Sequence, residues 1–167
     1  MTDVITTQRL VLRRFRRGDA GELVDLLNNL EVARWINNAP HPFTPHNAED
    51  FICNLAVQEY NAWAITKDQR LIGMVSAGDE LGYWLGQSFW GQGYATEAAR
   101  AMTARHFDPD KSELRSSYHL GNKASCKVLS KLGFEPTTRR EKKVRATGIT
   151  VTLQNMVLTR SRWEALQ

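Results

Sequence analysis

The 167-residue sequence predicts one α/β domain over residues 1–167, and three observations carry that reading. Residues 62–86 form a run of short apolar segments broken by turn residues, the pattern of a strand meander. A glycine-rich segment then opens directly into an alanine-rich helical run at 94–106. Residues 114–120 repeat the step, a strand leading into a helix that closes at Gly133. No linker, repeat or low-complexity stretch divides the sequence.

The elements follow in order. Arg9-Leu10-Val11-Leu12-Arg13 alternates as a strand, and Gly18-Asp19 punctuates it. Asp19 is placed to cap a helix running to Asn28, with Leu23, Leu26 and Leu27 at helical spacing. A short helix is expected over 32–36, before the breakers Pro40, Pro42 and Pro45. Another starts at Thr44 to Asn47 and carries Phe51, Ile52, Leu55 and Val57 toward Tyr60. Residues 62–66 and 71–76 are strands joined by the turn Lys67-Asp68-Gln69-Arg70, and Ala77-Gly78-Asp79 makes a hairpin into 80–86. The helix over 94–106 is stopped by Asp108-Pro109-Asp110. After the strand at 114–120, the helix over 122–132 takes Gly133 as its C-cap. Two strands, 139–144 and 150–158, complete the chain.

Composition narrows the function classes. Apolar content of 42% and charged content of 24% fit a globular protein, which sets aside disordered and membrane-spanning classes. The opening Met1-Thr2-Asp3-Val4 lacks a secretion-signal pattern, and no apolar run reaches the roughly 18 residues of a bilayer span. Cys53 and Cys126 show neither metal-ligand spacing nor a disulfide framework. The expectation is a reduced, cytoplasmic setting with no membrane and no metal. The net charge of +4 is mild, but Arg13, Arg14, Arg16 and Arg17 form one cluster and Arg139, Arg140, Lys142, Lys143 and Arg145 another. Solvated faces are the first reading of both, and docking on an anionic partner is the second. With no zinc-finger, ribonucleoprotein or basic-zipper pattern, direct nucleic-acid readout is not expected.

The chemistry concentrates in Leu81-Gly82-Tyr83-Trp84-Leu85-Gly86-Gln87-Ser88-Phe89-Trp90-Gly91-Gln92-Gly93-Tyr94-Ala95-Thr96-Glu97-Ala98. A strand ends, glycines bracket Gln92, and a helix begins at once, leaving several N–H groups aimed at one spot on the positive end of a helix dipole. A phosphate or pyrophosphate is the natural occupant. A P-loop is disfavoured, because Gly86-x4-Gly91 is followed by Gln92-Gly93 where Lys and Ser/Thr are required. A dinucleotide fingerprint is a weak near miss: Thr96 stands where its third small residue belongs, although the flanking strand–helix–strand order would suit it.

Trp90-Gly91-Gln92-Gly93-Tyr94-Ala95 resembles the Gln/Arg-x-x-Gly-x-Gly/Ala motif with which GNAT N-acetyltransferases bind acyl-CoA, except that Trp90 fills the Gln/Arg position. The form Trp-Gly-x-Gly-Tyr-Ala-Thr-Glu-Ala is similar to the RimJ/RimL-type branch, the ribosomal-protein N-terminal acetyltransferases and their relatives. His119-Leu120-Gly121-Asn122-Lys123-Ala124-Ser125 and Lys131-Leu132-Gly133-Phe134 resemble the family's Asn-x-Ala-Ser and Lys-x-Gly-Phe elements. Thr7-Gln8-Arg9-Leu10-Val11-Leu12-Arg13 resembles the branch's opening strand, so the likeness runs nearly the whole chain.

This resemblance implies a mixed, mostly antiparallel sheet of about six to seven strands, helices on both faces, and a splayed parallel pair at 80–86 and 114–120. It implies acetyl-CoA as co-substrate in that splay, with transfer to a primary amine by direct attack. The acceptor is a protein N-terminus, ribosomal proteins included, or a small-molecule amine; a non-catalytic acyl-CoA sensor is the alternative. Oligomeric expectation is monomer or homodimer. For the cofactor the resemblance points to Trp84, Leu85 and Gly91, with a backbone N–H near Leu85 polarising the thioester carbonyl, and to the amides of Gln92, Gly93, Tyr94, Ala95 and Thr96 around the pyrophosphate. Asn122 caps its helix and contacts the cofactor, and Ser125 either serves the thiolate or is a first-turn helix hydroxyl. Glu80 is the first candidate base, with a surface glutamate as alternative, and His119 the second, with packing as alternative. Trp35, His41, Phe43 and Tyr83 fall where the family places its acceptor wall. Cys126 has no local His or Asp partner to activate it as a nucleophile.

Overall fold

Eight strands alternate with helices along the chain: β1 (Val4–Thr6), β2 (Val11–Arg13), α1 (Ala20–Leu27), α2 (Leu30–Ala33), α3 (Pro45–Asp50), β3 (Ala62–Lys67), β4 (Arg70–Ala77), β5 (Glu80–Leu85), α4 (Tyr94–Phe107), β6 (Glu113–His119), α5 (Lys123–Leu132), β7 (Glu135–Lys143), β8 (Thr150–Thr159) and α6 (Arg160–Ala165). The computed structural model describes residues 4–56, 60–108 and 110–167. Met1, Thr2 and Asp3, and Val57 and Pro109, named above for a helix and a helix stop, lie outside them.

The strands join in one sheet of order β1-β2-β3-β4-β5-β6-β8-β7. β5 and β6 run parallel, and the other neighbouring pairs are antiparallel. The strand beyond the expected six to seven is β1, a three-residue edge strand folded onto β2. The β3–β4 turn is made by Asp68 and Gln69, both with positive φ (49° and 65°), the backbone that matches the twist of a two-residue hairpin. Asp19 holds the N-cap position of α1, but its side chain makes no capping hydrogen bond to that helix. Its carboxylate accepts from Arg13 Nη1 and Nη2 at 2.8 and 2.7 Å and from the Arg16 amide at 2.7 Å. A buried carboxylate recruits the nearest guanidinium because an unpaired charge there is costly.

Helices cover both faces. On one side α4 and α5 bury Ala98, Ala99, Met102 and Leu129 against Trp63, Ile65, Ile72, Leu81, Leu114 and Leu158. The alanines let α4 approach the sheet closely. On the other side α1, α2 and α3 close a second cluster, Leu23, Leu27, Val32, Phe43 and Ala48, over Ala64 and Leu71. Trp63 and Ile65 therefore face one layer and Ala64 the other, the period-two alternation of a strand. Residue Asn122 caps α5 by accepting from Ser125 N at 3.1 Å, and Gly133 ends it at φ +94°.

One feature of this sheet positions the site. The β5–β6 ladder holds two register pairs, Glu80↔Arg115 and Leu81↔Ser116. β5 continues to Leu85 and β6 to His119, so the strands diverge beyond Leu81 and leave a wedge-shaped gap.

Candidate active site

The gap is lined by strand backbone. Leu85 stands opposite Gly73, and Gly86 N donates to Ile72 O at 2.9 Å, which makes Gly73–Leu85 a pair without mutual hydrogen bonds. Bonded and non-bonded pairs alternate, so the main-chain groups of Tyr83 and Leu85 point away from β4 and into the gap. Across it, Leu120 N donates to Thr152 O at 2.9 Å, which turns the main chain of Ser117 and His119 toward β5 by the same rule. His119 O accepts from Asn122 N at 2.8 Å and Leu85 O from the Trp90 indole N–H at 2.8 Å. The Leu85 N–H and both main-chain groups of Tyr83 remain directed into the gap, ready for an amide-bearing chain.

At the wide end of the gap stands the start of α4. Gly91 and Gly93 adopt φ of +74° and +82°, a region open to glycine, and Gly93 is the N-cap. Glu97 N donates to Gly93 O at 3.1 Å, so the amides of Tyr94, Ala95 and Thr96 come before the first helical donor and have no acceptor within the helix. Those donors lie at the positive end of a 14-residue helix. The Tyr94 ring is buried in the core, so this residue offers the site its amide alone.

A clasp absent from the sequence reading fixes this corner. Glu97 Oε1 accepts from Thr7 Oγ1 at 2.6 Å and from Arg9 N at 2.7 Å, and Oε2 accepts from Arg9 Nε at 2.7 Å. Arg9 Nη1 also donates to Gln92 O at 2.9 Å, and the guanidinium lies 4.6 Å over the Tyr94 ring. Burial pushes the Glu97 carboxyl up, but the hydrogen bonds from Thr7 and Arg9 outweigh it and hold it below its ordinary value. The partners are 88 to 90 positions apart, beyond any local sequence signal.

The profile of the Acetyltransferase (GNAT) domain matches residues 9–135. This chain belongs to the GNAT acetyltransferase family. An N-acetyltransferase of Bacillus licheniformis, p20, is 26% identical over 149 residues, spanning 80% of this chain and 83% of that protein. Among solved structures, a GNAT-family acetyltransferase from Bacillus anthracis superposes with a TM-score of 0.81 at 18% identity, covering 95% of this chain and 99% of that one. RimL, a ribosomal L7/L12 α-N-protein acetyltransferase solved with coenzyme A, superposes with a TM-score of 0.76 at 17% identity, over 93% and 97% of the two chains. The protein is an acyl-CoA-dependent N-acetyltransferase with acetyl-CoA as its acetyl donor. The residues present fit that donor: a strand edge with free amide groups for an amide-containing arm, and Cβ-free positions at a helix start for a diphosphate. Among the described residues, no cluster of three His, Cys, Asp or Glu could hold a metal.

Relative to this GNAT frame, the side chains named from sequence divide between the two faces. Leu81, Tyr83 and Leu85 point to the α4–α5 side, and Glu80 and Trp84 to the α1–α3 side. Tyr83, first grouped with the acceptor wall, instead meets Ser125: the hydroxyl oxygens lie 2.9 Å apart, and Tyr83 Oη also donates to Ser125 O at 3.2 Å. Burial, with the Ser125 contact opposing, pushes the Tyr83 phenol up to about 12. Trp84, expected at the cofactor, packs against the second core cluster with its backbone facing β4. Phe43 is likewise core, 5% exposed, because the helices over β3 and β4 need a large side chain between them.

His119 is buried, with Nε2 2.8 Å from Asn37 Oδ1 and its ring edge-on to Trp35 at 5.7 Å. With Asn37 Oδ1 accepting, the proton sits on Nε2 and Nδ1 is the basic nitrogen. Burial holds the imidazole below its ordinary value. Glu80 stands at the closed end of the gap, exposed, with Oε1 3.8 Å from Arg140 Nη2. His41 is half-buried, and its Nδ1 has no hydrogen-bond partner among the described residues. Cys126 is half-buried on α5.

The basic clusters separate too. Arg13 pairs with Asp19, and Arg14 donates to Asn61 Oδ1 at 2.8 Å while stacking 4.5 Å over Trp63, so these two serve the fold. On β7, Arg139 donates to Gln154 Oε1 and Arg140 to Asn155 Oδ1, both at 3.0 Å.

Proposed function

We propose that the protein, acting as one domain over residues 1–167, acetylates a primary amine of low pKa, foremost the α-amine of a polypeptide, by direct attack within the β5–β6 gap. The observation that carries this reading is the two-pair ladder, which turns the Leu85 N–H and the Tyr83 main chain toward an open wedge. In it Leu85 N, the Tyr83 main chain and the amides of Gly91 to Thr96, together with Asn122 at the foot of α5, would hold acetyl-CoA, which supplies an activated acetyl thioester.

The chain's own groups divide the remaining work. The Leu85 N–H is a fixed donor for an oxygen gaining negative charge. As the amine's bond to the acetyl carbon forms and the carbon–sulfur bond breaks, Tyr83 Oη and Ser125 Oγ, a hydrogen-bonded pair on the α4–α5 side, would supply a proton to the departing thiolate. On the α1–α3 side, His119 is the proton acceptor, oriented by Asn37, with Trp35 and His41 beside the acceptor's path. Glu80, exposed and paired with Arg140, belongs to the rim of that path.

Acceptor class follows from protonation. At pH 7.5 an α-amine of pKa about 7.8 is roughly one-third neutral, whereas a lysine amine of pKa about 10.4 is only ~0.1% neutral. A histidine held below its ordinary value removes a proton from an attacking amine but cannot strip an ammonium of pKa about 10.4. RimL, which acts on an α-amine, is a relative by fold. Incubating acetyl-CoA with a panel of amines and N-terminal peptides, and reading thiol release and product mass, tests this function. Thiol release confined to water, with no amine acetylated, would overturn it.

A further inference from the structure

The α1–α3 helices cover only part of their face of the sheet. Their cluster lies over β3 and β4 and reaches Trp84 on β5. Beyond it a groove of about 390 Å³ runs over the bare sheet, lined by residues of β5, β6, β7 and β8, among them Glu80, Glu113, Arg115, Thr138, Arg140 and Asn155. We propose that this groove seats the acceptor polypeptide beyond its first residue, and that Arg140 selects an acidic side chain at the third to fifth position. The inference rests on the polypeptide-acceptor reading and extends it to the part of the acceptor that does not react.

Strand register joins the groove to the site. His119, Leu153 and Arg140 stand in one cross-strand row, and Ser117–Asn155 and Arg115–Val157 form the next two on the same face. At the His119 row that face is covered. Leu153 and Val144 are fully buried, and Asn37 O accepts from Arg145 N at 3.0 Å, tying the segment after α2 to the β7–β8 turn. One row on, Asn155 and Val157 are only half-buried, and the groove begins. A polypeptide with its amine at His119 is therefore closed off on the turn side and open along β6, toward Ser117 and Arg115. An extended chain advances about 3.3 Å per residue, the same step as the strand beneath it. Its third residue reaches the Ser117 row and its fifth the Arg115 row.

Charge decides what the groove reads. Glu113 Oε1 accepts from Arg115 Nε at 2.8 Å and lies 2.7 Å from Arg115 Nη2, so that pair is closed on itself. Arg140 is held differently. Its Nε donates to Asn155 Oδ1 at 3.0 Å and its Nη2 to Ser117 Oγ at 3.4 Å, both neutral, while its carboxylate partner, Glu80 Oε1, lies 3.8 Å away. Asn155 Nδ2 donates to Thr138 Oγ1 at 3.0 Å, which fixes the amide with its oxygen toward the guanidinium. The guanidinium is thus aimed between the Ser117 and Arg115 rows with its charge loosely matched. Lys142, the next residue on this face of β7, has no ion-pair or hydrogen-bond partner among the described residues. A carboxylate on the acceptor meets a fixed, planar donor here, and a cationic side chain meets like charge.

The test is acetylation of the free α-amine on matched peptides that carry Glu, Gln or Arg at position 3, 4 or 5 and contain no lysine. In the wild type, kcat/KM should be about fivefold higher for Glu than for Gln at one of these positions, with Arg the slowest. The ratio should shrink as salt rises. In R140Q the Glu-to-Gln ratio should fall to near one, R140K should restore part of it, and R140E should favour Arg over Glu. Each ratio compares peptides on one protein, so a smaller folded fraction in a variant cancels. A wild type indifferent to all three side chains overturns the assignment and leaves α-amine acetylation standing. A Glu preference that survives in R140Q does the same. Acetylation of none of the peptides, with small-molecule amines still accepted, would overturn the polypeptide reading itself and the groove with it.

Discussion

Tyr83 Oη and Ser125 Oγ lie 2.9 Å apart, joining the diverging end of β5 to the first turn of α5. This contact bridges two elements on the α4–α5 side of the gap, and the proposed function gives its two hydroxyls the proton for the departing thiolate. With its phenol pushed up to about 12, Tyr83 stays protonated at working pH and can donate.

Ser125→Ala is therefore expected to lower turnover by about 10- to 1,000-fold with little change in acetyl-CoA affinity. Tyr83→Phe should produce a loss of similar size, because it breaks the same hydrogen bond from the other side. Steady-state kinetics beside a binding titration checks this. Full turnover in both variants would remove the pair from the chemistry.

Gly93 tests the helix-start cradle. Its φ of +82° is strained for a β-branched side chain, and a Cβ there would come within 3.3 Å of Arg9 Nη2. Gly93→Val should lose about 1–3 kcal/mol of stability from strain and should not bind acetyl-CoA. Gly93→Asn, a residue that tolerates this backbone, should keep more of the stability and still bind poorly, since its side chain presses on the Arg9 clasp that fixes the cradle. Unchanged acetyl-CoA affinity in the Asn variant would falsify the cradle.

His119 makes stability depend on pH. Unfolded, an imidazole takes its proton near 6.5; in the fold, burial lowers that value. Above 6.5 both states hold it neutral and it has no effect. As pH falls below 6.5 the unfolded chain binds the proton first, and stability declines toward the lowered folded value. Asp19 and Glu97, lowered from 3.8 and 4.5, act at more acid pH, so the interval from 7 to 5.5 isolates the histidine. Urea unfolding at both ends should show a decline in the wild type that is smaller in His119→Gln. Equal declines would mean that the ring is not held neutral.

Arg13 and Asp19 form a nearly buried ion pair at 2.7 Å, with side-chain exposures of 12% and 7%. Asp19→Asn leaves a guanidinium short of its counter-charge and should cost about 3 kcal/mol in urea unfolding. A loss below about 1 kcal/mol would put the pair in the class of surface bridges.

Parts of this architecture were legible from local chemistry. Asn122 and Gly133 mark the ends of α5 because a side-chain oxygen and a Cβ-free residue are what such ends require. Gly91 and Gly93 announce the α4 start for the same kind of reason, since positive φ is cheap only there. β1 was not visible, because three residues at a sheet edge carry too little alternation to register. α6 was hidden by its composition: Arg160, Ser161, Arg162, Trp163, Glu164 and Ala165 show no apolar stripe, and Trp163 stacks on Phe107 at 5.1 Å beside the Arg160 guanidinium. At the site, backbone roles followed from the glycines, but side-chain assignments depended on which face of β5 each residue takes. That choice is fixed by pairing with β4, so Tyr83 went to Ser125 and Trp84 to the second core.

The central claim is that the β5–β6 gap passes an acetyl group to an amine of low pKa, about one-third neutral near pH 7.5. The most direct measurement offers acetyl-CoA and two peptides of one sequence, the first with a free α-amine and its lysine blocked, the second with the reverse. Mass spectrometry of the products over time should show acetylation of the free α-amine far ahead of the lysine, with the α-amine rate in His119→Gln falling by about 10- to 1,000-fold. Equal rates on the two peptides, or an α-amine rate indifferent to His119, would contradict the account.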